Sequence, residues 1–246
     1  MTTDVWLALL FFGALWGGIL VLVFWQRRKR LQQQEVLRTA AIARGWGFEA
    51  QRRGRTEVMR WNGSTDGTPW TLEYRLRRST KRSQNSQVHN TVWWADTFHG
   101  PSAPVLFIAA PPGTANPRET LAQTGGFLAS MAQKAANLAL DKALDTHFGE
   151  QAGQAVDARE LQAVVGADVP GFLVMATDPQ QARWLLNEGW TARLEPLRQE
   201  PVLASRIGPW VLVLPRRVHL ARRQPIRTEE DVLAMVRDGL KLVQPA

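Results

Sequence analysis

The feature that most constrains this chain is the run Val5 to Trp25, 21 residues without a charge, closed at once by Gln26 and four cations, Arg27, Arg28, Lys29 and Arg30. At about 1.5 Å per residue a helix of that length is roughly 31 Å, the thickness of a bilayer's hydrocarbon core. Thirteen of the 21 are Leu, Ile, Val or Phe, each favouring insertion by about 0.3–0.6 kcal/mol. The expectation is one N-terminal transmembrane helix. Only MTTD precedes it, so the positive-inside bias sets the N-terminus outside and the following domain in the cytoplasm, at a bacterial inner membrane. The run ends in Phe24-Trp25-Gln26 rather than a small-residue cleavage site, which argues for retention.

Trp6 and Trp25 stand at opposite ends of the run, where amphipathic rings favour the two interfaces. The collar Arg27, Arg28, Lys29 and Arg30 suits anionic lipid headgroups. Gly13 and Gly17 form a G-x-x-x-G that would let two such helices pack closely, so a homodimer is a weaker expectation.

The net charge of +8 is unevenly spread. Residues 27–82 hold 15 Lys and Arg against five Asp and Glu, whereas residues 83–246 hold 15 against 16. The excess therefore sits beside the collar, which favours anionic lipid over nucleic acid as a partner. With no cysteine, disulfides, thiolate nucleophiles and Cys-ligated metals are excluded.

Residues 26–45, free of proline and rich in Arg, Gln, Glu, Leu and Ala, continue the helix as a basic stalk until Gly45. Beyond it, 46–246 reads as a cytoplasmic α+β domain, a mainly antiparallel sheet packed by helices, with 46–150 and 151–246 as possible subdomains. In TPWTLEYRLR, Trp70, Leu72, Tyr74 and Leu76 alternate with Thr71, Glu73, Arg75 and Arg77, a strand with one buried and one wet face. Thr56–Trp61 is the preceding strand, the turn-rich stretch Asn62 to Gly67 its loop, Arg78–Asn90 a basic loop, and Thr91–Phe98 and Val105–Ala109 further strands.

Asn116-Pro117-Arg118-Glu119 is a helix start, and Phe127–Phe148 a helix whose apolar face packs on the sheet. Asp157 caps a short helix closed by Gly166. Phe172–Ala176 is a buried strand, Asp178-Pro179 starts the helix Gln180–Leu186, and Val202–Ile207 pairs with Trp210–Leu214 across Gly208-Pro209. Thr228 and Asp231 form a capping box for a terminal helix in which Val232, Leu233, Val236, Leu240 and Val243 supply the core face.

Phe172, Val174, Asp178, Ala182, Arg183 and Leu186 carry a local pattern in which an F-x-V strand precedes an Asp, an Ala-Arg pair and a Leu-rich helix. It resembles bacterial membrane-anchored proteins with a cytoplasmic domain of unknown function. The resemblance implies architecture and supplies no catalytic residues.

Chemistry is harder to find. His89, His99, His147 and His219 lack metal-ligand spacing, and no phosphate-loop, dinucleotide or nucleophile-elbow motif occurs. No catalytic residue, metal or cofactor is implied. Asp96 and His99 are the nearest to an acid–base pair, and they read better as turn residues. The function expected is a single-pass membrane protein whose domain binds a protein partner or the membrane surface. The rivals are a membrane-tethered enzyme acting on a lipid or envelope precursor, and nucleic-acid binding through the basic 27–82 region, with Arg75, Arg77, Trp93 and Trp94 as a platform of cations and aromatics.

Overall fold

The computed structural model describes residues 3–78, 87–96, 100–110, 127–149, 152, 154–167, 169–198 and 208–244; the side chains of 3–15, 19, 23, 26, 78, 87 and 127–133 lie outside the description. The chain divides into two compact units, Met1–Gly45 and Trp46–Ala246.

The first unit is a single helix, α1 (Thr3–Ala43). Among the described residues no helix is long and apolar enough to cross a membrane. Past Trp25 the same helix continues without a break through four cations and four glutamines. This corrects the expected transmembrane helix of the fold class, the membrane-spanning single-pass description and the inner-membrane location with its outward N-terminus. Trp6 and Gly13 lie outside the residues whose side chains are described. Trp25 is exposed, with the Lys29 ammonium 5.4 Å from its ring centre. Arg27, Arg28 and Lys29 are exposed, Arg30 is half-buried, and a Cβ at Gly17 would meet nothing within 4 Å.

The second unit is built on one nine-stranded antiparallel sheet with few helices, the further correction to the expected class. The strands are β1 (Gly47–Arg53), β2 (Thr56–Thr65), β3 (Thr68–Arg78), β4 (Gln87–Asp96), β5 (Val105–Ala109), β6 (Gln162–Ala163), β7 (Phe172–Ala176), β8 (Trp210–Leu214) and β9 (Arg217–Arg222), in the order β1-β2-β3-β4-β9-β8-β5-β7-β6. The N-terminal meander β1–β4 meets the C-terminal hairpin β8–β9 through the β4–β9 ladder, Trp94 opposite His219 and Val92 opposite Ala221. The sheet is therefore continuous across residue 150.

The alternation in β3 places Trp70, Leu72 and Tyr74 in the core. Its partner strand runs further than the glycine in Asn62-Gly63 suggests. The turn is only Asp66-Gly67, both at positive φ (51° and 76°), with Thr65 opposite Thr68; two consecutive left-handed residues match the right-handed twist of a tight hairpin. Gly63 stays in the strand because the Trp70 ring lies where its Cβ would be.

Among the described residues four α-helices are assigned after α1: α2 (Phe127–Phe148), α3 (Pro179–Leu185), α4 (Thr191–Arg198) and α5 (Glu229–Val243). On one sheet face Val92, Leu106, Met175, Trp210, Leu212 and Ala221 pack with Leu144 and Phe148 of α2 and with Val156 and Leu161. On the other, Phe107 stacks on Trp190 at 6.0 Å, and Gly239 of α5 sits against Trp93. Asp178 caps α3 by accepting from Gln180 N at 2.8 Å, and Thr228 with Asp231 completes the capping box of α5.

Several local expectations fail for identifiable reasons. The Asp157 carboxylate accepts from Arg159 N at 2.8 Å, a turn rather than a helix cap, and the segment ends in the short β6. Trp210–Leu214 pairs with Arg217–Arg222; its expected partner Val202–Ile207 lies outside the described residues, as do the helix start at Asn116 and the residues Phe98 and His99. Between α3 and α4 the helix is widened over Leu186–Trp190, with Gly189 at φ 81°.

Candidate functional site

Side chains of successive strand residues point to opposite faces, so the registers define a floor. Glu49, Gln51 and Arg53 of β1, Thr56, Val58 and Arg60 of β2, Glu73, Arg75 and Arg77 of β3, and Val88, Asn90, Trp94 and Asp96 of β4 share one face. They floor a cavity of about 1060 Å³, walled by the last turns of α2 (Lys142, Asp145, Thr146, Phe148), by Ala152 and Ala155, and by Leu214 to Arg217 with His219. From Val88 to Asp96 is eight residues of β4, a groove roughly 27 Å long at 3.4 Å per residue.

The floor is strongly cationic. Seven Arg and Lys side chains line the groove against four carboxylates. Glu73 is the pivot: its side chain is only 4% exposed and is held by two arginines, Arg60 Nη2 donating to Oε2 at 2.6 Å and Arg75 Nε donating to Oε1. The face of β3 that alternation assigns to water is thus roofed at its centre. A buried carboxylate needs such partners to offset the loss of hydration. E73Q is expected to cost about 2 kcal/mol, below the 3–5 typical of a fully buried pair because both arginines retain some water; urea unfolding that matches the wild type would remove Glu73 as the anchor of the floor.

The α2 wall is fastened to that floor. Buried Asn90 Nδ2 donates to the carbonyls of Thr146 and His147, both at 2.8 Å, satisfying acceptors that the helix end leaves open. At Gly149, φ 86°, the Arg75 guanidinium occupies the place of a Cβ, so Arg75 bridges Glu73 and the end of α2. A guanidinium there also meets the partial negative charge of the helix C-terminus.

Two buried histidines pack beside the groove, and of these His219 lines it. His147 stacks on Trp210 at 4.4 Å and His219 on Trp94 at 6.1 Å, with Phe148 edge-on to His219 at 6.0 Å. Neither imidazole nitrogen of either residue has a hydrogen-bond partner among the described residues. Burial, reinforced by Arg223, holds His147 down to about 4. Burial, reinforced by Arg217 and opposed by Asp96, holds His219 down to about 3. Both are neutral packing groups at neutral pH. On the opposite face Tyr74 Oη lies 2.7 Å from His89 Nδ1; burial raises the phenol to about 12, and burial lowers the imidazole.

The residues singled out from sequence divide sharply. None of Trp25, Arg27, Arg28, Lys29 and Arg30 lines this groove, whereas Arg75, Arg77 and Trp94 do. Trp93 is fully buried on the other face, so the imagined platform of cations and paired tryptophans is not assembled. Asp96 accepts from Arg217 Nε at 2.8 Å; His99 lies outside the described residues. Among the described residues no group of three His, Asp or Glu side chains could hold a metal ion. The signal for the groove was present as Arg53, Arg60, Arg75 and Arg77, cations on one side of neighbouring strands, but only the register brings them together.

No family model matches the chain, and no curated protein does. A solved structure, the mycobacterial trehalose monomycolate transport factor A, TtfA, is similar with a TM-score of 0.42 and 12% identity over 87% of this chain and 97% of that one. At that similarity the likeness defines neither a shared fold nor a shared activity.

Proposed function

We propose that the Trp46–Ala246 unit acts by binding, and that the groove over β1–β4 takes an anionic amphiphile of the kind lipids supply. The observation that carries this is the combination in one cavity of an arginine-rich floor with apolar surface from Val58, Val88, Trp94, Phe148, Leu214 and Pro215. Cations alone would suit any polyanion, and an apolar groove alone any hydrophobe. Their union selects a ligand with a charged head and an apolar body. The volume sits at the upper end of small-ligand sites, which run to about 1,000 Å³, and leaves room for a chain as well as a head. The expected protein partner has no comparable feature of this groove to favour it over a small amphiphile.

The test is native mass spectrometry of the full-length protein with equimolar oleate or methyl oleate, which share a chain and differ in charge. A one-to-one oleate adduct without a methyl oleate adduct is expected. Equal retention of both, or of neither, would contradict the proposal.

A further inference from the structure

The groove's charge is not balanced evenly along its length. In its middle, Glu73 takes Arg60 and Arg75, and Glu49 stands opposite Arg60 in the β1–β2 register. At one end Asp96 takes Arg217. At the other end the register row is Arg53, Thr56, Arg77 and Val88, without a carboxylate. Arg53 and Arg77 are both exposed. Among the described residues Arg53 contacts only the Gln51 amide oxygen, at 3.4 Å, and Arg77 makes no hydrogen bond or ion pair.

Arg53 and Arg77 are each the direct cross-strand neighbour of Thr56. With strands about 4.8 Å apart, their Cα atoms are roughly 10 Å apart, and both guanidinium forks can reach one anion above the Thr56 hydroxyl. A planar fork with paired N–H donors fits carboxylate or phosphate oxygens bidentately, and the hydroxyl adds a third donor. We infer that Arg53, Thr56 and Arg77 form a head-group subsite for a phosphate or carboxylate, with the ligand's chain running inward over Val58 and Val88 towards Phe148 and Trp94. This rests on the anionic-amphiphile reading of the groove, and assigns that ligand a direction within it.

The experiment measures binding of dodecyl phosphate, below its micellar concentration, and of dodecanol and inorganic phosphate to the full-length protein by calorimetry. In R53Q/R77Q the dodecyl phosphate affinity should fall roughly 30-fold or more, since two charge-assisted contacts are removed, towards the much weaker binding expected of uncharged dodecanol to either protein. The same substitutions distant from the groove, R159Q/R237Q, separate local contact from net charge. R53K/R77K, which keeps charge but removes the forks, should lose several-fold and guards against a folding defect in the glutamine variant. Inorganic phosphate binding to the wild type and not to R53Q/R77Q would identify free phosphate as a sufficient ligand for the subsite; binding only when the chain is attached would identify the lipid-type head group. Dodecyl phosphate held equally by wild type and R53Q/R77Q, or weakened equally by R159Q/R237Q, overturns the subsite alone. Failure of the wild type to bind dodecyl phosphate at all overturns the groove reading with it.

Discussion

Lowering the pH from 8 to 5 is expected to remove about 4 kcal/mol from the unfolding free energy. His147 titrates near 4 and His219 near 3 in the fold, against 6.5 for a free imidazole. A base whose pKa is depressed by folding binds fewer protons in the native than in the unfolded chain. The stability it contributes is therefore complete above pH 6.5 and is lost as the pH falls towards the folded value. At 1.36 kcal/mol per unit, the interval from 6.5 to 5 costs about 2 kcal/mol for each histidine. His89, also lowered, acts in the same direction. Against a typical total of 5–15 kcal/mol this is a large fraction. Because neither nitrogen of His147 has a described partner and its ring stacks on Trp210, H147F should keep the packing and remove about half the pH dependence. Urea midpoints that do not move between pH 8 and 5, or an H147F slope equal to the wild type, would place these imidazoles in contact with water.

The second large effect sits on the opposite face. Gly239, in the middle of α5, has the fully buried Trp93 ring where a side chain would begin. An exposed helical glycine would be stabilised by about 1 kcal/mol on replacement with alanine; here sterics win. G239V is expected to cost about 4 kcal/mol, since the valine must displace either the ring or the helix and interiors have no slack for it. W93L alone should cost about 2 kcal/mol through the volume it leaves empty. If the two residues oppose each other directly, the double variant W93L/G239V will lose at least 1 kcal/mol less than the two single losses added together. Strict additivity would mean that the clash lies elsewhere.

What could be read without a structure was what is local. The alternation of Trp70, Leu72 and Tyr74 and the capping box at Thr228 and Asp231 each declare an element within a few residues, and both elements are where those patterns lie. β9 was missed because Arg217–Arg222, RVHLAR, reads as a basic stretch. It is buried at five of six positions, with Arg222 inside because Asp238 of α5 meets it at 2.9 Å. The α4 helix was hidden by Gly189 before it and Pro196 within it. The membrane span was expected from the run beginning at Val5 alone, and among the described residues no helix is long and apolar enough to cross a membrane. The groove was beyond local reading altogether. Its floor needs the registers of four strands, and one wall needs α2 fixed by Asn90, whose partners are 56 and 57 residues away.

The central claim, that this groove is a ligand site, is tested most directly by methyl NMR of the full-length protein during titration with oleate. Val58 and Val88 line the groove, whereas Val232 is buried in α5. Saturable shifts are expected at Val58 and Val88, with Val232 unmoved. Shifts absent from Val58 and Val88, or spread equally to Val232, would contradict that claim.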